Sequence, residues 1–127
     1  MPLVLRAVMV IVFTLLGGSR FMALAADPPA ALFTIEIKGR KVVGALTTLR
    51  VKYGDMVTLR WRTDEPVRLH LHGYDIEALA KPDSPAAFTF KAYATGRFPI
   101  TAHGFGAPTH AGAHEETPLV YLEVHPR

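Results

Sequence analysis

Val67-Arg68-Leu69-His70-Leu71-His72-Gly73-Tyr74 alternates apolar and polar side chains until a glycine interrupts it. Side chains on a strand point to alternate faces, so Val67, Leu69 and Leu71 enter a core while His70 and His72 leave the opposite face together. The stretch therefore predicts a half-buried strand and an all-β fold. It also predicts a pair of imidazoles held side by side on a rigid element, and imidazole is the commonest metal ligand among side chains. A solvent-facing strand that merely happens to carry two histidines fits the same letters.

Outward from this strand the period-two pattern continues in both directions. Phe33, Ile35 and Ile37 alternate with Thr34, Glu36 and Lys38; Val42-Val43 and Leu49 with Val51 make shorter runs; Val57, Leu59 and Trp61 alternate with Thr58, Arg60 and Arg62. Tyr53-Gly54-Asp55 and Thr63-Asp64-Glu65-Pro66 read as turns around the last of these. Downstream, Ile76-Glu77-Ala78-Leu79 reads either as an extension of the histidine strand or as the start of a short helix. Phe88 with Phe90, then Phe98, Ile100 and Ala102, and finally Leu119 to Val124 complete about eight short strands. Turn signals every eight to twelve residues indicate a β-sandwich or small barrel. One long interruption, Gly104 to Pro118, carries His110 and His114, and a connection of that length in a small domain is commonly functional or disordered.

The N-terminal segment has the layout of a secretion signal. A basic start ending at Arg6, an apolar run from Ala7 to Leu16, a Gly17-Gly18 break and the small pair Ala23 and Ala25 predict cleavage after residue 25. The apolar run is short for a bilayer span of about 20 residues, so an uncleaved anchor is the weaker reading. Residues 26–31, with Pro28-Pro29, read as a stiff leader, and residues 32–127 as one domain. A periplasmic or secreted location with no membrane span after cleavage follows as an expectation.

Composition excludes several kinds of chemistry. The 127-residue chain has no cysteine, which rules out disulfides, thiol nucleophiles, iron–sulfur ligation and thiolate–metal bonds. Asn and Gln are also missing, so N-glycosylation is excluded. The formal charge of +3 falls to +1 after cleavage, because Arg6 and Arg20 leave and no carboxylate goes with them. Basic residues are scattered over different elements, and a cluster such as Arg60-Trp61-Arg62 is too small for a nucleic-acid surface.

Three segments resemble the cupredoxins, small exported Greek-key β-sandwiches that often hold copper at one end. Val51-Lys52-Tyr53-Gly54-Asp55-Met56-Val57 is similar to the family's valine, glycine-aspartate, valine passage into a core strand. Leu71-His72-Gly73-Tyr74-Asp75-Ile76 resembles its first histidine ligand with the residues that follow. Gly96-Arg97-Phe98, His110-Ala111-Gly112-Ala113 and the Leu119 to Val124 strand resemble its ligand loop. The resemblance spans roughly residues 32–125 and implies a cupredoxin-like Greek-key sandwich with His72 and His110 in ligand positions. The departures are informative. By spacing from Gly96, Ala102 stands where electron-transferring members have their cysteine, and Ala113 where many have methionine. A blue-copper centre needs a short copper–thiolate bond, so an electron shuttle of that type is excluded.

What remains is nitrogen. The expected metal ligands are His72 and His70, with His103 or His110, while His114 and His125 stay unassigned and Glu115-Glu116 reads as a solvated turn. Copper is the first candidate ion and zinc the second, since imidazole suits both and Cu(II) heads the affinity order. The expected role is a copper carrier, buffer or resistance component with no catalytic residues. Two alternatives stay open. One is a metal-free module that docks on a membrane or periplasmic protein. The other is a small cupin-like metalloenzyme, because His70-x-His72 with Glu77 resembles the start of a cupin motif, although Asp64 replaces its upstream glycine and no second motif follows. His70-Leu71-His72-Gly73 also resembles the His-x-His-Gly element of multicopper oxidases, whose cluster needs four such pairs.

Overall fold

A computed structural model describes residues 25–106 and 116–127. Within them nine strands form two sheets: β1 (Ala30–Lys38), β2 (Lys41–Val42), β3 (Thr48–Lys52), β4 (Met56–Thr63), β5 (Val67–Leu71), β6 (Ile76–Ala80), β7 (Ala86–Lys91), β8 (Gly96–His103) and β9 (Thr117–His125). One sheet has the order β2-β1-β4-β7 and the other β3-β9-β8-β5-β6. The chain passes from sheet to sheet at β2–β3, β3–β4, β4–β5, β6–β7 and β7–β8, which gives a Greek-key sandwich. β1 and β4 pair in parallel, as do β3 and β9, and every other pairing is antiparallel.

The alternation seen in the letters is the alternation of burial. Ile35 and Ile37 from β1, Val57, Leu59 and Trp61 from β4, and Phe88 and Phe90 from β7 face Leu49, Val51, Leu69, Leu71, Ile100, Leu122 and Val124 from the other sheet across one core. No cross-link supplements it, so burial of these side chains carries the stability. β1 begins at Ala30, two residues before the apolar pattern starts, because its pairing with β4 extends to Ala30 opposite Met56. Residues 76–80, ambiguous between strand and helix, are strand: β6 pairs with β5 along its whole length, from Leu71 opposite Ile76 to Val67 opposite Ala80. No helix among the described residues is long and apolar enough to cross a membrane.

Trp61 is fully buried and packs against Phe88 with ring centroids 6.2 Å apart. Its Nε1–H has no acceptor among the described residues. An orphaned donor costs about 1–3 kcal/mol, so Trp61→Phe removes that cost while losing part of the ring. We expect Trp61→Phe to stay within about 1 kcal/mol of the parent and Trp61→Ala to lose about 3–5 kcal/mol in urea unfolding. Equal losses for the two variants would mean that the indole donor is satisfied in solution.

The β5–β6 connection is the four-residue turn His72-Gly73-Tyr74-Asp75. Gly73 (φ +80°) and Asp75 (φ +55°) take left-handed conformations, which folds Tyr74 back under the end of the core. There it contacts Phe90, Tyr93 and Phe98 at centroid distances of 5.0, 4.7 and 5.0 Å. Its hydroxyl donates to the Ala94 carbonyl at 2.9 Å and accepts from the Ala94 N–H at 3.2 Å. Burial pushes this phenol above its ordinary range, with the Ala94 hydrogen bonding acting in the opposite direction. The turn is thus anchored from below, which sets the position of His72 above it.

Candidate metal centre

The histidine site starts from strand parity. Leu69 and Leu71 point into the core, so His70 between them and His72 beyond them point to the solvent face of the five-stranded sheet. On β8, Ile100 and Ala102 point inward, so Thr101 and His103 share the outer face with them. The antiparallel register sets His70 opposite Thr101 and Arg68 opposite His103, and the His72 N–H donates to the Pro99 carbonyl at 3.1 Å. Three imidazoles therefore surround Thr101. The His70 ring lies 4.0 Å from that of His72 and 5.9 Å from that of His103 by centroid.

Glu116 completes the group from the residue before β9. Its Oε2 lies 3.1 Å from His72 Nε2 and its Oε1 3.6 Å from His103 Nε2. The β8–β9 ladder shifts register between Ile100 and Thr101, with Ile100 opposite Val120 and Thr101 opposite Pro118, so Leu119 is an extra residue in β9. Such a bulge bends the strand and re-aims the side chains next to it. Here it lies beside the strand entry that carries Glu116.

One ligand atom from each of His70, His72, His103 and Glu116 can be chosen so that all lie within 4.8 Å of one another. Donors bonded to one transition-metal ion at about 2.0–2.1 Å stand about 3–4 Å apart, so the group fits an ion after side-chain adjustments of less than about 1 Å. The side chains of His70, His72, His103 and Glu116 are 17%, 30%, 26% and 44% exposed. The site is therefore open on one side while the strands hold its base.

Of the four expected ligands, His70, His72 and His103 are brought together, and His110 lies outside the described residues. His114 lies outside them too. His125 is apart from the group, beside Glu123 at 3.3 Å. Glu116, read from the sequence as part of a solvated turn, is instead the carboxylate of the cluster. No local pattern marks it, because its proximity to His72 comes from the pairing of β8 with β9.

The structure also corrects the expectation that His72 and Ala102 belong to one ligand set. Ala102 is 1% exposed, opposite Leu69 on the inward face, whereas His72 lies on the outward face beyond the opposite end of the β5–β8 ladder. The β5 residue that points inward at the Ala102 end is Val67, also buried. Among the described residues, a thiolate-type site on the inward face at that end would find valine and alanine, not imidazole. The histidines form a different site, on the face of the sheet.

No protein-family model matches the chain, and no curated protein matches it in sequence. Solved structures do match in fold. One belongs to a heme-copper terminal oxidase dimer determined by cryo-EM, with a TM-score of 0.57 at 15% identity over 79% of this chain and 66% of that one. Another is the blue copper oxidase from Nitrosomonas europaea, with a TM-score of 0.54 at 15% identity over 77% of this chain and 39% of that one. This chain thus spans less than two thirds of the length of either protein. With the two-sheet topology, these likenesses give the chain a cupredoxin-type fold that carries a histidine and carboxylate cluster and no cysteine.

Proposed function

We propose that the protein binds one Cu(II) ion through His70, His72 and His103 with Glu116 as the oxygen donor, and that it works outside the cytoplasm as a copper carrier, buffer or resistance component. The observation that carries this reading is the convergence of three imidazoles and a carboxylate within ligand spacing on the outer side of one sheet. Nitrogen and oxygen donors without sulfur suit Cu(II), and zinc takes the same donor types with lower affinity. The secretion-type segment before residue 26 supports an extracytoplasmic role, and the open side of the site supports exchange of the ion with a partner protein. The bound ion would serve as cargo, and the chain's own residues hold and orient it without a catalytic step.

Competition titration of the mature protein with Cu(II) and Zn(II) tests this. One equivalent of Cu(II) should bind more tightly than Zn(II). Loss of a group that only supports a ligand commonly weakens binding about 10–100-fold, so His72→Ala, which removes a ligand itself, should weaken it by about 100-fold or more. Glu116→Gln should produce a smaller loss. Cu(II) binding that is absent, or indifferent to His72→Ala, would leave the metal-free docking module as the better account. His110→Ala in the same series reports whether that histidine joins the ligand set.

A further inference from the structure

Thr101 is only 3% exposed although it stands on the solvent face of its sheet. The histidine rings cover it. Its Oγ1 lies 3.0 Å from His72 Nε2 and 3.2 Å from His103 Nε2, so one hydroxyl contacts two of the proposed ligand nitrogens. A hydroxyl carries a single proton, which it can donate to only one of them. For both contacts to be hydrogen bonds, at least one ring must donate from Nε2 to Thr101, which leaves the hydroxyl's own proton for the Nε2 lone pair of the other ring, whose proton is then on Nδ1. Glu116 stands near both nitrogens, 3.1 Å from His72 and 3.6 Å from His103.

We propose that Thr101 is a positioning residue that holds the metal-free site in a latched state, its hydroxyl occupying the Nε2 lone pair of one of the two histidines, which an incoming ion would take. The proposal rests on the reading of His72 and His103 as ligands through Nε2. For the ion to bind both, the Thr101 O–H must turn away from the ring it donates to, and the proton on the other ring must move from Nε2 to Nδ1 with no net loss of protons. Every ion meets this same cost, so only one that binds imidazole strongly keeps useful affinity. The latch also keeps His72 and His103 in place when no ion is bound, because a buried hydroxyl without a partner is unfavourable.

The test compares the mature wild-type protein with Thr101→Val, which keeps the side-chain volume, and Thr101→Ser, which keeps the hydroxyl. Imidazole-nitrogen NMR of the metal-free proteins should show one of His72 and His103 in the Nε2–H form and the other in the Nδ1–H form in wild type and Thr101→Ser. In Thr101→Val this complementary pairing should disappear. Removing one hydrogen bond from the metal-free state should tighten Cu(II) and Zn(II) binding by about three- to tenfold in Thr101→Val, with Thr101→Ser near wild type. Two wild-type histidines that share one tautomer would overturn the proposal, as would unchanged or weaker binding in Thr101→Val. If none of the three proteins binds either ion, the metal reading fails and this role fails with it, and the tautomer signals distinguish that result from failure of the hydroxyl bridge alone.

Discussion

Cu(II)-loaded Thr101→Cys is expected to become intensely coloured, whereas Cu(II)-loaded Ala102→Cys is expected to keep the weak ligand-field absorption of the parent. The two positions are neighbours on β8, and a strand sends neighbours to opposite faces. Thr101 Oγ1 lies within 3.2 Å of the Nε2 atoms of His72 and His103, so a cysteine sulfur there would enter the donor set and give a thiolate-to-copper transition. Ala102 faces Leu69 in the core, so a sulfur there is separated from the histidines by the sheet itself. Visible absorption and electron paramagnetic resonance of the two variants make the comparison. His72→Ala in the Thr101→Cys background should abolish the new band. Colour in Ala102→Cys and not in Thr101→Cys would move the site to the end of the sandwich and overturn the outer-face assignment.

The contrast between Thr101 and Ala102 also shows what could be read from the letters alone. Parity within one strand was legible: the alternation from Val67 to His72 placed both histidines on one face, and the structure has them there. A β-sandwich or small barrel was legible as well, because its core strands are short, alternating and bounded by turn residues, and the resemblance to the cupredoxins pointed to the Greek-key sandwich among these. Register between strands was not. That His70 stands opposite Thr101, and that Ala102 and His72 lie on opposite faces, depends on which residues pair across β5 and β8. Counting from Gly96 placed Ala102 at a strand end but carried no information about which end His72 would occupy. Glu116 was hidden for the same reason, since the β9 bulge at Leu119 has no mark in the local sequence.

Gly73→Ala is expected to cause the largest loss of stability among these substitutions outside the core strands. Gly73 has φ +80°, where a side chain is strained, and a Cβ there would lie 2.7 Å from Phe98 Cε1 and closer still to Cδ1. Phe98 cannot yield easily, because it stands edge-on to Tyr74 at 5.0 Å and Tyr74 is in turn held by Ala94. Backbone strain of about 1 kcal/mol and overpacking of about 1–3 kcal/mol together give a loss of about 2–4 kcal/mol. In a domain of this size that lowers Tm by about 10–25 °C. Gly39→Ala is the matched control: φ is +55° and no atom lies within 4 Å of the added Cβ, so only the backbone cost of about 1 kcal/mol applies. Thermal unfolding of both variants separates the two contributions. Because Gly73 follows His72 directly, displacement of the turn should also weaken Cu(II) binding in Gly73→Ala and leave it unchanged in Gly39→Ala. Equal loss of stability in the two variants would show that Phe98 gives way freely, and that the aromatic cluster beneath the turn does not hold His72 in place.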